Sequence, residues 1–103
     1  MGHTRAQDIV GSFLVSTIRT GYLPHLKLRQ NYETVVFDKE GRLCDDRVYR
    51  RSHQAELGHA RFVEAVRAHP ENYPPIRENT DFLTAMMKRT YEAIRARQSP
   101  QTA

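Results

Sequence analysis

The stretch Tyr32–Val66, YETVVFDKEGRLCDDRVYRRSHQAELGHARFVEAV, reads as strand, turn, strand and helix without a break. Tyr32, Thr34 and Val36 point to one side of an extended chain, and Glu33, Val35 and Phe37 to the other. This β-branched and aromatic composition suits a pleated, half-buried surface. Asp38-Lys39-Glu40-Gly41 interrupts it, and Gly41 can take a positive φ without steric cost, as a hairpin loop requires. Arg47–Arg51 reads as the return strand. Val48 lies between charges and Tyr49 faces the other way, a pattern that guards a sheet edge against stray pairing. Ser52 is placed to cap a helix. From there Ala55, His59, Phe62 and Val66 share one helical face. Gly58 sits beside that face and permits close approach to a sheet. His69-Pro70 ends the helix, because proline disfavours helical geometry in itself and just before it.

Outward from this centre the pattern weakens. Residues 1–7 are polar and are expected to be a mobile terminus. Residues 8–20 carry Ile9, Val10, Phe13, Leu14, Val15 and Ile18. One reading is a strand from residue 12 onward, with Phe13, Val15 and Thr17 on one face and Leu14, Ser16 and Ile18 on the other. The competing reading is a helix that aligns Ile9, Phe13 and Thr17. Gly11 and the run Val15–Ile18 favour the strand. Residues 21–30 form a loop or short extended segment, with Leu26 and Leu28 alternating with Lys27 and Arg29. The expected fold is α+β: a small antiparallel sheet of three to four strands with a helix on one face, plus a C-terminal helix. Residues 8–69 make the α+β domain and 70–78 a proline-rich connector. Residues 79–98 form the C-terminal helix, with Asn79 or Thr80 as its cap, and 99–103 a mobile tail. Leu83, Met86, Met87, Thr90 and Ile94 stripe that helix.

The motifs Val15-Ser16-Thr17, Tyr32-Glu33-Thr34-Val35-Val36-Phe37, Tyr49 and Gly58-His59 resemble those of a family of short phage and prophage proteins of unknown function. That family carries a Val-Ser-Thr strand, a Tyr/Phe-Glu-Thr-Met-Val-Phe strand, a short acidic turn, a tyrosine-bearing strand and a Gly-His helix. Val35 stands where the family has methionine. Arg19-Thr20-Gly21-Tyr22 stands where members carry Leu-Asp-His. The resemblance implies a phage origin, a bacterial host cytoplasm and a fold, but no mechanism.

The 103 residues are enough for one modest core. Sixteen basic and twelve acidic residues give a net charge of +4, too mild to demand a nucleic-acid partner. The single cysteine, Cys44, excludes an internal disulfide and any cysteine-based zinc cluster. No run approaches the ~18–20 apolar residues of a membrane span, so a cytoplasmic protein without membrane contact is expected.

Candidate chemistry is sparse. His59 lies on an apolar helix face, and its spacing to other residues places no serine or carboxylate beside it. It reads as a packed histidine with one hydrogen bond in preference to a catalytic base. His53, His59 and His69 lack metal-ligand spacing, so neither a metal nor a cofactor is expected. Asp38, Glu40, Asp45 and Asp46 read as solvated hairpin charges. Arg47, Tyr49, Arg50 and Arg51 form the principal patch. They suit a protein interface, a nucleic-acid backbone, or an edge strand balanced by Asp45 and Asp46. Leu83, Met86, Met87 and Ile94 are a candidate helix interface for self-association, or else pack on the chain's own sheet. The expected function is a non-enzymatic interaction module that binds a host or phage protein. The alternative is a basic nucleic-acid-binding accessory protein, and a third reading is an enzyme centred on His59.

Overall fold

The computed structural model describes residues 3–19, 31–76 and 81–98, with side chains from 6 and from 84 in the first and last of these. Strands β1 (His3–Val10), β2 (Phe13–Arg19), β3 (Tyr32–Asp38) and β4 (Leu43–Tyr49) form one antiparallel sheet in the order β1-β2-β3-β4. Helix α1 spans Ser52–Ala68, a short 3-10 turn spans Pro70–Asn72, and helix α2 spans Asp81–Gln98. This is the α+β arrangement the sequence implies.

The central hairpin forms as expected, but its return strand is Leu43–Tyr49 and not Arg47–Arg51. Asp45 and Asp46 lie within it, exposed, and Arg50 and Arg51 lie in the bend before α1. Thr34 and Val36 are buried on the α1 side of β3. Asp38 organises the turn. Its carboxylate accepts from the main-chain N–H of Glu40 (3.0 Å) and Arg42 (2.9 Å) and from Arg42 Nε (2.8 Å). Gly41 has φ +82°, as that turn demands. A register shift between Val36 and Phe37 marks a bulge opposite the start of β4.

The N-terminal half departs from expectation only before residue 12. The strand expected from residue 12 onward is β2 and the competing helix is absent, but the apolar run 8–20 holds more than one strand. It is split by a turn at Gly11 (φ +60°) into the end of β1 and all of β2. Residues 3–7, expected in a mobile terminus, pair with β2, for example Ala6 with Thr17 and Gln7 with Ser16. β1 is an edge strand, and polar side chains are tolerated there, so composition alone did not signal it.

The core has two parts. Val10, Val15, Val36, Cys44 and Val66 cluster on the α1 side, with Phe13, Phe62, Val63 and Tyr73 packed around them. On the opposite face Leu14 meets Tyr91 and Ile94 of α2, flanked by Ile9 and Phe37. The central strand β2 is thus covered on both faces, which explains its nearly continuous apolar run. Burying a side chain such as Leu14, which is fully enclosed, contributes about 1.5–3 kcal/mol.

Helix α1 buries Ala55, His59 and Val66 as the spacing predicts, together with Gly58, and ends with His69 as its C-cap. Its N-cap is Arg51, in extended geometry (φ −120°, ψ 144°) and without a side-chain cap, so Ser52 is the first helical residue instead of the cap. The stripe on α2 divides. Ile94 is buried in the chain's own core, Met86 is exposed and Met87 half-buried. Tyr91, outside the expected stripe, anchors the helix and donates its hydroxyl to Gly11 O at 3.1 Å. Ile94 therefore drops out of the candidate interface, and the Leu83 side chain lies outside the described residues. So do the segment 21–30, the proposed caps Asn79 and Thr80, and the tail 99–103.

Candidate functional site

Two groups of side chains invite a functional reading. The first runs through the α1 side of the sheet. His59 Nε2 lies 2.6 Å from Asp8 Oδ2, and His59 Nδ1 lies 2.7 Å from Thr17 Oγ1. Thr17 Oγ1 lies 2.6 Å from Thr34 Oγ1. A single directional chain satisfies all three contacts. Thr34 donates to Thr17, Thr17 donates to Nδ1, and Nε2–H donates to the Asp8 carboxylate. The connectivity is that of hydroxyl, imidazole and carboxylate in nucleophilic catalysis. The exposure is not. Thr17 is 2% exposed and Thr34 0%, so α1 and the sheet cover the hydroxyls that a substrate would have to reach. The arrangement does what a buried polar chain does well. It ties α1 to β1, β2 and β3 in one orientation with each group satisfied. Among the described residues no buried side-chain N or O lacks a hydrogen-bond partner.

Sequence reasoning placed His59 on the right face but found none of its partners. Asp8 and Thr17 lie 51 and 42 residues away, on β1 and β2. The one available signal was Thr17 and Thr34, polar residues at inward positions of otherwise apolar strands.

The second group is a groove of about 720 Å³ between β4 and α1. Arg47 and Tyr49 of β4, then Arg50 and Arg51, line one side. Gln54, Gly58, Arg61 and Ala65 of α1 line the other, with Leu57 and Phe62, and Tyr73 closes one end. The arginine–tyrosine patch is thus gathered in one concavity, and α1 adds Arg61. That second helical stripe, 54-58-61-65, runs one residue behind the core stripe and was legible in principle. Gly58 shapes the groove, because a Cβ there would overlap the ring and hydroxyl of Tyr49. Tyr73 packs edge-on against Phe13 (6.3 Å between centroids) and Phe62 (6.5 Å). Burial pushes its phenol up from the ordinary value, and the Asp45 charge adds to the effect. Leu57 is 56% exposed, so the groove offers apolar as well as cationic surface.

The groove also lies beside a sheet edge that no described strand pairs. β4 ends the strand order, and Asp45 to Val48 are exposed. The connector caps the beginning of that edge, where Ile76 N–H donates to Leu43 O at 2.9 Å. On the other face of β4, Glu33 and Asp46 lie close enough to interact. Burial pushes the Glu33 carboxyl up, and the hydrogen bond and negative charge of Asp46 push it further.

The remaining candidates resolve into structure. Cys44 is buried and its thiol is pushed up to about 11, first by burial and then by the Asp38 charge. His69 Nδ1 pairs with Glu71 at 3.2 Å. Among the described residues no three His, Cys, Asp or Glu side chains come together as a metal-holding group. Among them, too, no helix is long and apolar enough to cross a membrane. The chain matches no protein-family model, no curated protein and no solved structure. The likeness to short phage proteins therefore rests on the quoted motifs alone.

Proposed function

We propose that the protein is an interaction module that takes up an extended, acidic segment of a partner protein along β4. The observation that carries this reading is the coincidence of a sheet edge unpaired among the described residues with a groove of arginines and aromatic rings beside it. An edge strand offers main-chain donors and acceptors to an incoming strand, and the adjacent helix–strand groove accepts that strand's alternate side chains. Arg47 and Arg61 suit carboxylates, which arginine binds in a two-pronged geometry. Tyr49, Phe62 and Leu57 suit apolar side chains between them. Arginine and aromatic residues also dominate binding energy at protein interfaces. The motif resemblance supports a phage or prophage setting for this activity, with the partner a host or phage protein.

The test is an affinity pull-down from bacterial lysate with the unaltered chain and with Arg47→Glu/Arg61→Glu, each split into nuclease-treated and untreated halves. A protein captured after nuclease treatment by the unaltered chain, and lost with the double variant, is the expected result. Recovery only with intact nucleic acid would overturn it in favour of the alternative, because the same arginines and rings can hold phosphates and stack bases. Binding would then fall steeply with salt.

A further inference from the structure

We propose that the segment that pairs with β4 is β4 of a second copy of this chain, in an antiparallel register centred on Val48 that places Asp46 opposite Arg50 and Asp45 opposite Arg51 of the other copy. The inference rests on the reading of β4 as the binding edge and names its occupant.

Two-fold pairing of identical edge strands is tightly restricted. Directly opposed residues of antiparallel strands share a sheet face, so the axis must pass beside one residue that faces its own counterpart. The cross-strand register of β4 with β3 assigns the faces. Asp45 opposes Val36 and Arg47 opposes Thr34 on the α1 side, whereas Asp46 opposes Val35 and Val48 opposes Glu33 on the other. The candidate registers can then be enumerated. Centred on Asp46, two carboxylates meet at the axis, and the pairing runs into Leu43, whose carbonyl already accepts from Ile76. Centred on Arg47, two guanidinium groups meet. Centred on Tyr49, Arg47 opposes Arg51. Centred on Val48, the residue at the axis is apolar and 56% exposed. Arg47 then faces Tyr49, a cation beside a ring, and four opposed Asp–Arg pairs form across the dimer. Of these four registers it is the one free of like charges in direct opposition.

Three further observations fit it. β4 ends at Tyr49 and the chain bends at Arg50 and Arg51. Arg51 keeps extended angles (φ −120°, ψ 144°), so both arginines leave from just past the strand end, within side-chain reach of a paired strand. The pairing uses Asp45 to Tyr49 of the strand, the part of the edge beyond the Ile76 contact, with Arg50 and Arg51 in the bend that follows. It also brings Arg50 of the second copy to Asp46, whose charge is crowded by Glu33 within one copy. The two sheets would join into one of eight strands, with both copies of α1 on the same side.

Sedimentation of the full chain across a dilution series tests the proposal, with Val48→Lys, Asp46→Arg, Arg50→Asp and the combined Asp46→Arg/Arg50→Asp. All three positions are exposed, and circular dichroism verifies that each variant is folded. The expected result is a concentration-dependent dimer. Its dissociation constant should rise by about tenfold or more with Val48→Lys and with either single charge reversal, and return towards the original value in the combined variant, where both pairs are inverted. A monomer at every concentration overturns the proposal. A dimer insensitive to these changes, or not restored by the combined variant, overturns it as well. If the chain is monomeric yet still captures a lysate protein through Arg47 and Arg61, self-pairing alone has failed. If it does neither, the reading of β4 as a binding edge fails with it.

Discussion

At the residue scale, Thr17 tests what the buried polar chain contributes. Thr17→Val keeps the shape of the side chain but leaves His59 Nδ1 and the Thr34 hydroxyl without their shared partner. An orphaned buried polar group costs about 1–3 kcal/mol, so urea denaturation should show a loss of that size. Asp8→Asn should cost less, because the Asp8 side chain is 53% exposed and water can replace it. Equal losses would contradict the solvent argument. His59 was visible in the sequence as a histidine on an apolar face. Its partners were not, because the fold alone closes separations of 42 and 51 residues. Cys44 supplies a chemical test. With its thiol raised from 9.0 to about 11, the folded protein holds about a hundredfold less thiolate at pH 8 than an ordinary cysteine would. Alkylation by iodoacetamide should therefore be slow in the native state and fast in urea. Glu33 gives a pH dependence. Its carboxyl is raised above 4.5, so below that pH it is protonated in both folded and unfolded chains and contributes nothing. As pH rises, the unfolded chain ionises first and stability is lost until the folded pKa is passed. Glu33→Gln should accordingly raise Tm at pH 7 and have no such effect at pH 3. The gain should be at most a few degrees, because the pair is partly solvent-screened.

At the element scale, two turns with the same backbone sign give a controlled comparison. Gly11 and Gly41 both have positive φ, but a Cβ at Gly11 meets open space. A Cβ at Gly41 would strike the main chain of α2 at Thr84 O and Lys88 N. Gly11→Ala should cost about 1 kcal/mol for the left-handed conformation alone. Gly41→Ala should cost clearly more, about 2–4 kcal/mol, because backbone atoms cannot rotate aside and α2 must shift. Denaturant midpoints with unchanged slope would measure both. Equal costs would mean that α2 yields freely at that contact. The same glycines show where sequence legibility stops. Gly41 followed a clean alternating strand and preceded a charged return strand, so its turn could be read directly. Gly11 lay inside a continuous apolar run whose two strands share both faces of the sheet. With β2 buried on both sides, no alternation marked where β1 ended. α1 was legible because one face of it is dry and the other wet. The groove was half legible: Arg47, Arg50 and Arg51 cluster within five residues at the end of β4 and the bend after it, but Arg61 reaches it only through the packing of Gly58 on Tyr49.

At the scale of the whole molecule, the sheet is held between two helices that touch it on opposite faces. The stripe on α2 is equally compatible with packing in cis and with packing on another subunit, and its position could not be decided from periodicity. The anchor was Tyr91, whose ring fills the second core while its hydroxyl reaches Gly11 O. That placement makes α2 part of the folding unit, although the Pro74-Pro75 connector suggests a detachable appendage. A chain ended at Ile76 would uncover Leu14, Ile9 and Phe37 together. Losing the Tyr91 and Ile94 contacts corresponds to large-to-small changes at two buried positions, about 2–5 kcal/mol each, against a total stability of about 5–15 kcal/mol for a domain. The shortened chain should lose its cooperative urea transition and bind a hydrophobic dye. Tyr91→Ala in the full chain should keep a cooperative transition, with stability lower by about 3–5 kcal/mol. If the shortened chain instead unfolds at the same midpoint as the full one, the second core contributes nothing to folding. The α2 helix would then be available to partners, and the binding surface would have to be redrawn to include Met86 and the face it shares.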